Sequence, residues 1–347
     1  MSRITVFAAV NTKIRYMMGD FLKAEDYNNM LQKSTVSEIA QYLKENTSFS
    51  GYLDINYFEM VNRRDIEDAL KRNMIKNLDR LIYYFRGDYK EFVKCLYLRY
   101  EIEDLKVLAR IILNGKHPKD IDKSLAFLGK YSRCAPERLF ESGNLRDLIY
   151  ALKGTKYYEY VEPIPDVERE NLFRFEMALD SSYFSIIQNA WNNLPVRDRE
   201  LLKQWEGVLA DILNIQWIYR GKKFYNLMPA ELLNYTIDFG NKLNFAKLKA
   251  ICYSRNLDEL YEIARGVGYG FLFKSEETRD IYMERRMQRY IYYRLKSLVK
   301  KAPLSIIQIV AYISFLEFQI RDIISIIECT RYRMSPDDTK KFLVRAV

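Results

Sequence analysis

Four landmarks recur in the same order at intervals of about 109 residues along this 347-residue chain, and a fixed internal period constrains architecture more than any single motif does. The first landmark is a helix start: Thr35-Val36-Ser37-Glu38-Ile39 with Leu43, Asn144-Leu145-Arg146-Asp147-Leu148 with Leu152, and Asn256-Leu257-Asp258-Glu259-Leu260 with Ala264. In each, a Thr or Asn is followed three residues later by an acid, the pairing that satisfies the orphan amides of a helix N-terminus. The second is an acid three residues before a large apolar side chain: Glu67 with Leu70, Glu176 with Leu179 and Glu284 with Met287, stepped by 109 and 108 residues. The third sets two polar groups three apart before an aliphatic residue: Glu101, Asp104 and Leu105; Asp211, Asn214 and Ile215; Gln319, Asp322 and Ile323, stepped by 110 and 108. A proline with acids just behind it follows 14, 15 and 14 residues later: Pro118 with Asp120, Pro229 with Glu231, Pro336 with Asp337. Proline at a first helical turn accounts for this placement.

The spacing predicts an all-α protein of three homologous helical-bundle units in a pseudo-threefold arrangement, residues 1–125, 126–235 and 236–347. Asn11 followed by Glu25-Asp26 reads as a degenerate copy of the last two landmarks, so the frame is expected to be permuted at the chain ends. Within the units the apolar period is helical: Leu105, Leu108, Ala109 and Ile112, or Ile320, Ile323, Ile324 and Ile327, form one stripe each. Only 13 glycines and 8 prolines punctuate the chain, which argues against a turn-dense fold, and 49% hydrophobic residues exclude wholesale disorder. Tyr157 to Val167, with Pro163 and Pro165, is expected to be an extended linker. Arg265 to Phe273, with three glycines, is the second weak point, and Thr47 to Asn56 holds the same place in the first unit.

The sequence excludes more chemistry than it carries. Gly115-Lys116 leads into His117 and Gly221-Lys222 into Lys223, so neither pair completes a phosphate-binding loop. His117, the single histidine, reads as a surface residue beside Pro118 rather than a base or ligand. Asp337-Asp338 resembles the acidic pairs that hold magnesium in helical prenyl-transfer enzymes, but two lysines follow and no second acidic cluster faces it. Cys95, Cys134, Cys252 and Cys329 are too scattered for a zinc site or a disulfide framework and read as reduced thiols. No catalytic residue, cofactor or metal is expected. The N-terminus does not read as a signal peptide. The stretch from Ser305 to Phe318 falls short of the roughly 18 apolar residues of a span, so membrane association is expected to be peripheral.

Two polar features remain. Asp104, Asn214 and Asp322 sit at the edge of an apolar stripe and need partners. They either hydrogen-bond within their own units or line a central hole where a partner is met. Arg110 and Arg220 follow six residues after this landmark, where the third unit has Glu328. The net charge of +9 is concentrated between Arg279 and Lys301, where Arg285, Arg289, Lys296 and Lys300 lie roughly opposite Met283, Met287, Ile291 and Leu295. That face is a solvated surface, or one for an acidic protein, an anionic membrane or nucleic acid.

The chain resembles a family of rotary V/A-type ATPase components, the C subunit, called subunit d in eukaryotes. The resemblance spans nearly the whole chain and rests on Asn11-Thr12-Lys13-Ile14-Arg15, Glu25-Asp26-Tyr27, Leu179-Asp180-Ser181-Ser182-Tyr183-Phe184, and Asp211-Ile212-Leu213-Asn214-Ile215 with Tyr219-Arg220-Gly221-Lys222. The third unit departs most, with Glu328-Cys329-Thr330-Arg331 in place of a basic segment. The resemblance implies a non-catalytic rotor part: a funnel of three similar helical domains, peripheral at the cytoplasmic face of a membrane. Such a part receives the central shaft in a socket, seats on the proteolipid ring and transmits torque for proton or sodium transport. It works as a monomer within a hetero-oligomeric complex, with no small-molecule substrate and no nucleic acid. Arg110, Arg220 and Arg331 are the expected socket residues, and Arg285, Arg289, Lys296 and Lys300 a ring- or membrane-facing surface. Glu67, Glu176, Glu284, Asp104, Asn214 and Asp322 are the repeated structural positions. The rival reading is a helical-repeat nucleic-acid-binding protein using the basic face.

Overall fold

A computed structural model describes residues 3–53, 61–116, 118, 125, 127–132, 134–164, 170–274 and 279–345. Among them the chain forms sixteen α-helices and no strand: α1 (Arg3–Met18), α2 (Ala24–Leu31), α3 (Val36–Asn46), α4 (Arg63–Ile82), α5 (Gly87–Leu113), α6 (Pro136–Phe140), α7 (Leu145–Ala151), α8 (Tyr158–Val161), α9 (Glu170–Asn192), α10 (Val196–Phe224), α11 (Pro229–Asn234), α12 (Phe245–Cys252), α13 (Leu257–Gly266), α14 (Arg279–Lys301), α15 (Ile307–Arg331) and α16 (Pro336–Lys340). The all-α expectation holds. The chain divides into two compact units, one of residues 1–85 and 277–347 and one of residues 86–276.

In the unit of residues 86–276, α9 packs against α5 and α10, α7 lies on α5, and α11, α12 and α13 gather around α10. In the other unit α15 is the hub, contacted by α1, α2, α3, α4, α14 and α16. The predicted stripes are buried: Leu105, Leu108 and Ala109 are fully inaccessible, as are Ile323 and Ile327. The hubs are buried beyond one stripe, however. Every residue from Trp205 to Ile212 of α10 and from Ile309 to Ser314 of α15 is buried, because these helices are surrounded rather than laid on a surface. Gly207 permits this on α10. A Cβ there would lie 2.9 Å from the amide of Asn241, which donates to the Gly207 carbonyl at 3.1 Å.

The three predicted helix starts are made as the sequence implies. Thr35, Asn144 and Asn256 accept from the amides of Glu38, Asp147 and Glu259 at 3.2, 2.9 and 2.9 Å. Each acid reaches back to the amide before the cap, of Ser34, Gly143 and Arg255, at 2.8, 3.2 and 2.7 Å. Pro229 and Pro336 open α11 and α16, while Asp120 and His117 lie outside the described residues. The linker expectation is met only in part. Residues 158–161 form a single helical turn just before Pro163, and 165–167 lie outside the described residues, as do 54–56. The second weak point is also structured, with a 3-10 turn at Gly270–Phe273 beside the fully buried Tyr269.

Candidate functional site

Each of the three long helices α5, α10 and α15 uses the second member of its polar pair to hold the chain that follows it. Asp104 accepts from the Phe127 amide at 2.9 Å. Asn214 is matched on both sides by Ile237, whose amide donates to Oδ1 and whose carbonyl accepts from Nδ2, each at 2.9 Å. Asp322 accepts from the amides of Val344 and Arg345 at 2.6 and 3.2 Å. The held amides lie 23, 23 and 22 residues downstream. All three side chains are at most 2% exposed, so this local hydrogen bonding is what offsets the cost of burying them. Burial still pushes the Asp322 carboxyl up to about 6, against the two amides and Arg285, whose guanidinium is 3.6 Å away.

The first members of the pairs reach further. Asp211 accepts from the amides of Lys242 and Leu243 at 2.7 and 3.1 Å and from the Tyr269 hydroxyl at 2.7 Å. Burial raises its carboxyl above the usual range, and these donors lower it. Glu101 is buried beside Ser132, Cys134 and Tyr157, and burial raises it as well. Gln319 accepts from the Leu22 amide at 2.7 Å, holding a segment from the opposite end of the chain. Thus α2 and α3 stand against α15 as α12 and α13 stand against α10.

The ends of these helices carry the predicted arginines, all exposed. Arg110 lies 2.7 Å from Glu176 on α9, and Arg220 sits over the ring of Phe173, 5.7 Å from its centre. Arg331 pairs with Glu328 at 3.1 Å. Glu328, in the place of Arg110 and Arg220, meets Arg63 on α4 at 2.9 Å, so the charges of the Arg110–Glu176 contact are exchanged there. Each helix stops in a left-handed residue, Gly115, Asn226 and Arg333, with φ of 69°, 48° and 54°. The following amides of Lys116, Leu227 and Met334 turn back to the carbonyls of Ile111, Gly221 and Cys329, at 3.1, 3.0 and 2.9 Å, which closes off the helix end.

The landmark acids differ in their partners. Glu67 lies between Arg63 and Lys71 at 3.4 and 3.5 Å, whereas Glu284 is 3.5 Å from Arg321. On α14 the four bases separate. Arg285 donates to Ser325 at 3.1 Å, and Arg289 donates to the carbonyls of Leu343 and Lys341, both at 2.9 Å, so these two tie α14 to α15 and to the chain after α16. Lys296 and Lys300 are exposed. Asp338 is taken up by the Ser335 cap and by Lys341 at 2.7 Å.

One buried cation had no sequence signal. Lys106, 6% exposed, donates to Asp180 at 2.6 Å and to Glu103 at 2.9 Å. Burial raises the Asp180 carboxyl even with that ammonium beside it. The four cysteines are free, and burial pushes the Cys252 thiol up to about 12. Among the described residues no three His, Cys, Asp or Glu side chains group as a metal site, and no helix is long and apolar enough to cross a membrane.

Comparison with known proteins places these features. Residues 10–342 match the family model described as ATP synthase (C/AC39) subunit. The chain belongs to that family. The C subunit of the A-type ATP synthase of Methanosarcina mazei is 24% identical over 307 residues, covering 88% of this chain and 84% of the relative. The Methanosarcina acetivorans protein of the same name is 25% identical with the same coverage, and that of Pyrococcus horikoshii is 21% identical over 98% of this chain and 91% of its own length. The family resemblance read from the sequence is therefore correct, and it extends over the helices that carry all three polar pairs.

Proposed function

We propose that this chain is a non-catalytic central-rotor subunit of an A-type ATP synthase, linking the central shaft to the membrane proteolipid ring at the cytoplasmic face. The observation that carries the reading is the family match over residues 10–342, whose relatives are named as a subunit of that machine. A rotor link needs rigid bodies rather than a reaction centre. The buried clasps at Asp104, Asn214 and Asp322 supply rigidity by fixing the chain after each hub helix.

The same clasps support three homologous units. Their frame is permuted at the chain ends, because the Gln319 contact with Leu22 lets the N-terminus close the last unit. In this reading the three helix ends face the shaft. The double variant Arg110→Ala with Arg220→Ala is expected to weaken binding of the isolated shaft subunits by more than about tenfold, with helical content unchanged. Equal affinity would remove these arginines from the socket.

The subunit assignment itself is tested by pull-down from solubilised membranes. Other ATP synthase subunits should co-purify, and the pure chain should hydrolyse no ATP. Recovery of nucleic acid in their place, lost steeply with salt, would favour the nucleic-acid reading.

A further inference from the structure

The unit of residues 1–85 and 277–347 brings together two segments that carry bases and no acid. No acidic residue occurs in 3–19 or in 285–316, whereas both segments carry several bases. They meet in space. Arg3 on α1 donates from Nε and Nη2 to the Leu304 carbonyl at 2.9 and 2.6 Å, and Asn11 donates to the Pro303 carbonyl at 2.6 Å, so α1 lies against the turn that follows α14. Lys296, Lys300 and Lys301, on the last turns of α14 leading into that turn, are exposed and have no carboxylate partner among the described residues. Two aliphatic side chains project at the same place, Ile4 at 66% and Leu304 at 36% exposure.

We propose that this place is a docking surface for an anionic phospholipid bilayer, with the lysines at the headgroups and Ile4 and Leu304 at the acyl boundary. The three lysines supply attraction to anionic lipid without a competing carboxylate among the described residues. Lysine stems can lie along an apolar boundary while their ammonium groups stay wet. Exposed aliphatic tips among those bases gain by insertion into a lipid interface and gain nothing from a phosphodiester backbone, which is why the bilayer is the occupant chosen. No described helix spans a membrane, so the contact is interfacial. This inference stands apart from the rotor assignment, and its failure would leave that assignment intact.

The test is sedimentation of the full chain with phosphatidylcholine vesicles, with and without phosphatidylglycerol. Binding is expected only to the anionic vesicles. Each base near such a surface contributes about fivefold, so Lys296→Gln, Lys300→Gln and Lys301→Gln together should reduce it on the order of a hundredfold. A control neutralising three exposed lysines of the other unit, Lys153→Gln, Lys247→Gln and Lys249→Gln, should bind as the wild type does. The proposal is overturned by equal binding to neutral vesicles, by no effect of the first triple variant, or by an equal loss in the control. It is overturned too if duplex DNA displaces the vesicles and its own binding falls with the same three lysines.

Discussion

Replacing Asp322 with alanine is expected to lower the unfolding free energy by about 3–5 kcal/mol, the range for breaking a buried, hydrogen-bonded ion pair. The carboxylate is fully buried and accepts from two backbone amides while facing Arg285 at 3.6 Å. Alanine would orphan both amides and leave a guanidinium that is only 13% exposed without its counter-charge. Asp322→Asn should cost less than alanine, because an amide oxygen still accepts from Val344, but it still leaves Arg285 without a counter-charge and so stays destabilising. Asn214 fills the corresponding position of α10 and is satisfied in that way. The loss can be located as well as measured. All three tryptophans, Trp191, Trp205 and Trp217, lie in residues 86–276. In urea, circular dichroism of the alanine variant should therefore begin to fall before tryptophan fluorescence changes. A destabilisation below about 1 kcal/mol would show that the clasp does not hold the C-terminal segment.

The clasps illustrate which part of this structure was legible in the sequence. Their positions were, because an acid or amide beside an apolar stripe announces a polar group that must be satisfied. Their partners were not. Phe127, Ile237 and Val344 sit 22 or 23 residues away in segments without helical periodicity, and a backbone amide has no sequence signature. The helix caps were readable in full because donor, cap and acid lie within five residues of one another. The turn of α8 was missed because Pro163 restricts only itself and Glu162, leaving residues 158–161 free to coil.

The same limit explains α14. An alternation of bases and apolar residues marks an amphipathic helix but not how much of its polar face a neighbour takes. Ser325 and the carbonyls of residues 340, 341 and 343 take Arg285 and Arg289, while Lys296 and Lys300 remain at the surface. Lys106 lies within an apolar run of α5, and its partner Asp180 is 74 residues away, so no local pattern could pair them. Charge exchange between Arg110–Glu176 and Arg63–Glu328 was visible only as the missing arginine at residue 328.

Glu206→Gln is the substitution expected to stabilise the protein most, and only at neutral to alkaline pH. Glu206 lies within the buried run of α10, 1% exposed, with Oε2 lacking a hydrogen-bond partner. Burial pushes its carboxyl up from 4.5 to about 7, with Arg99 opposing. The folded chain therefore holds this proton more tightly than the unfolded chain does. The resulting stability is complete below pH 4.5 and is lost as pH rises through about 7. The shift corresponds to about 3 kcal/mol. Glutamine has no proton to lose and keeps the neutral form's stability throughout. At pH 8 the variant should exceed the wild type by about that amount, while near pH 4.5 the two should unfold together. Trp205, adjacent in sequence, makes tryptophan fluorescence the suitable probe. If the variant shows no advantage at pH 8, Arg99 compensates the ionised carboxylate fully, and the residue is half of a buried pair rather than an uncompensated charge.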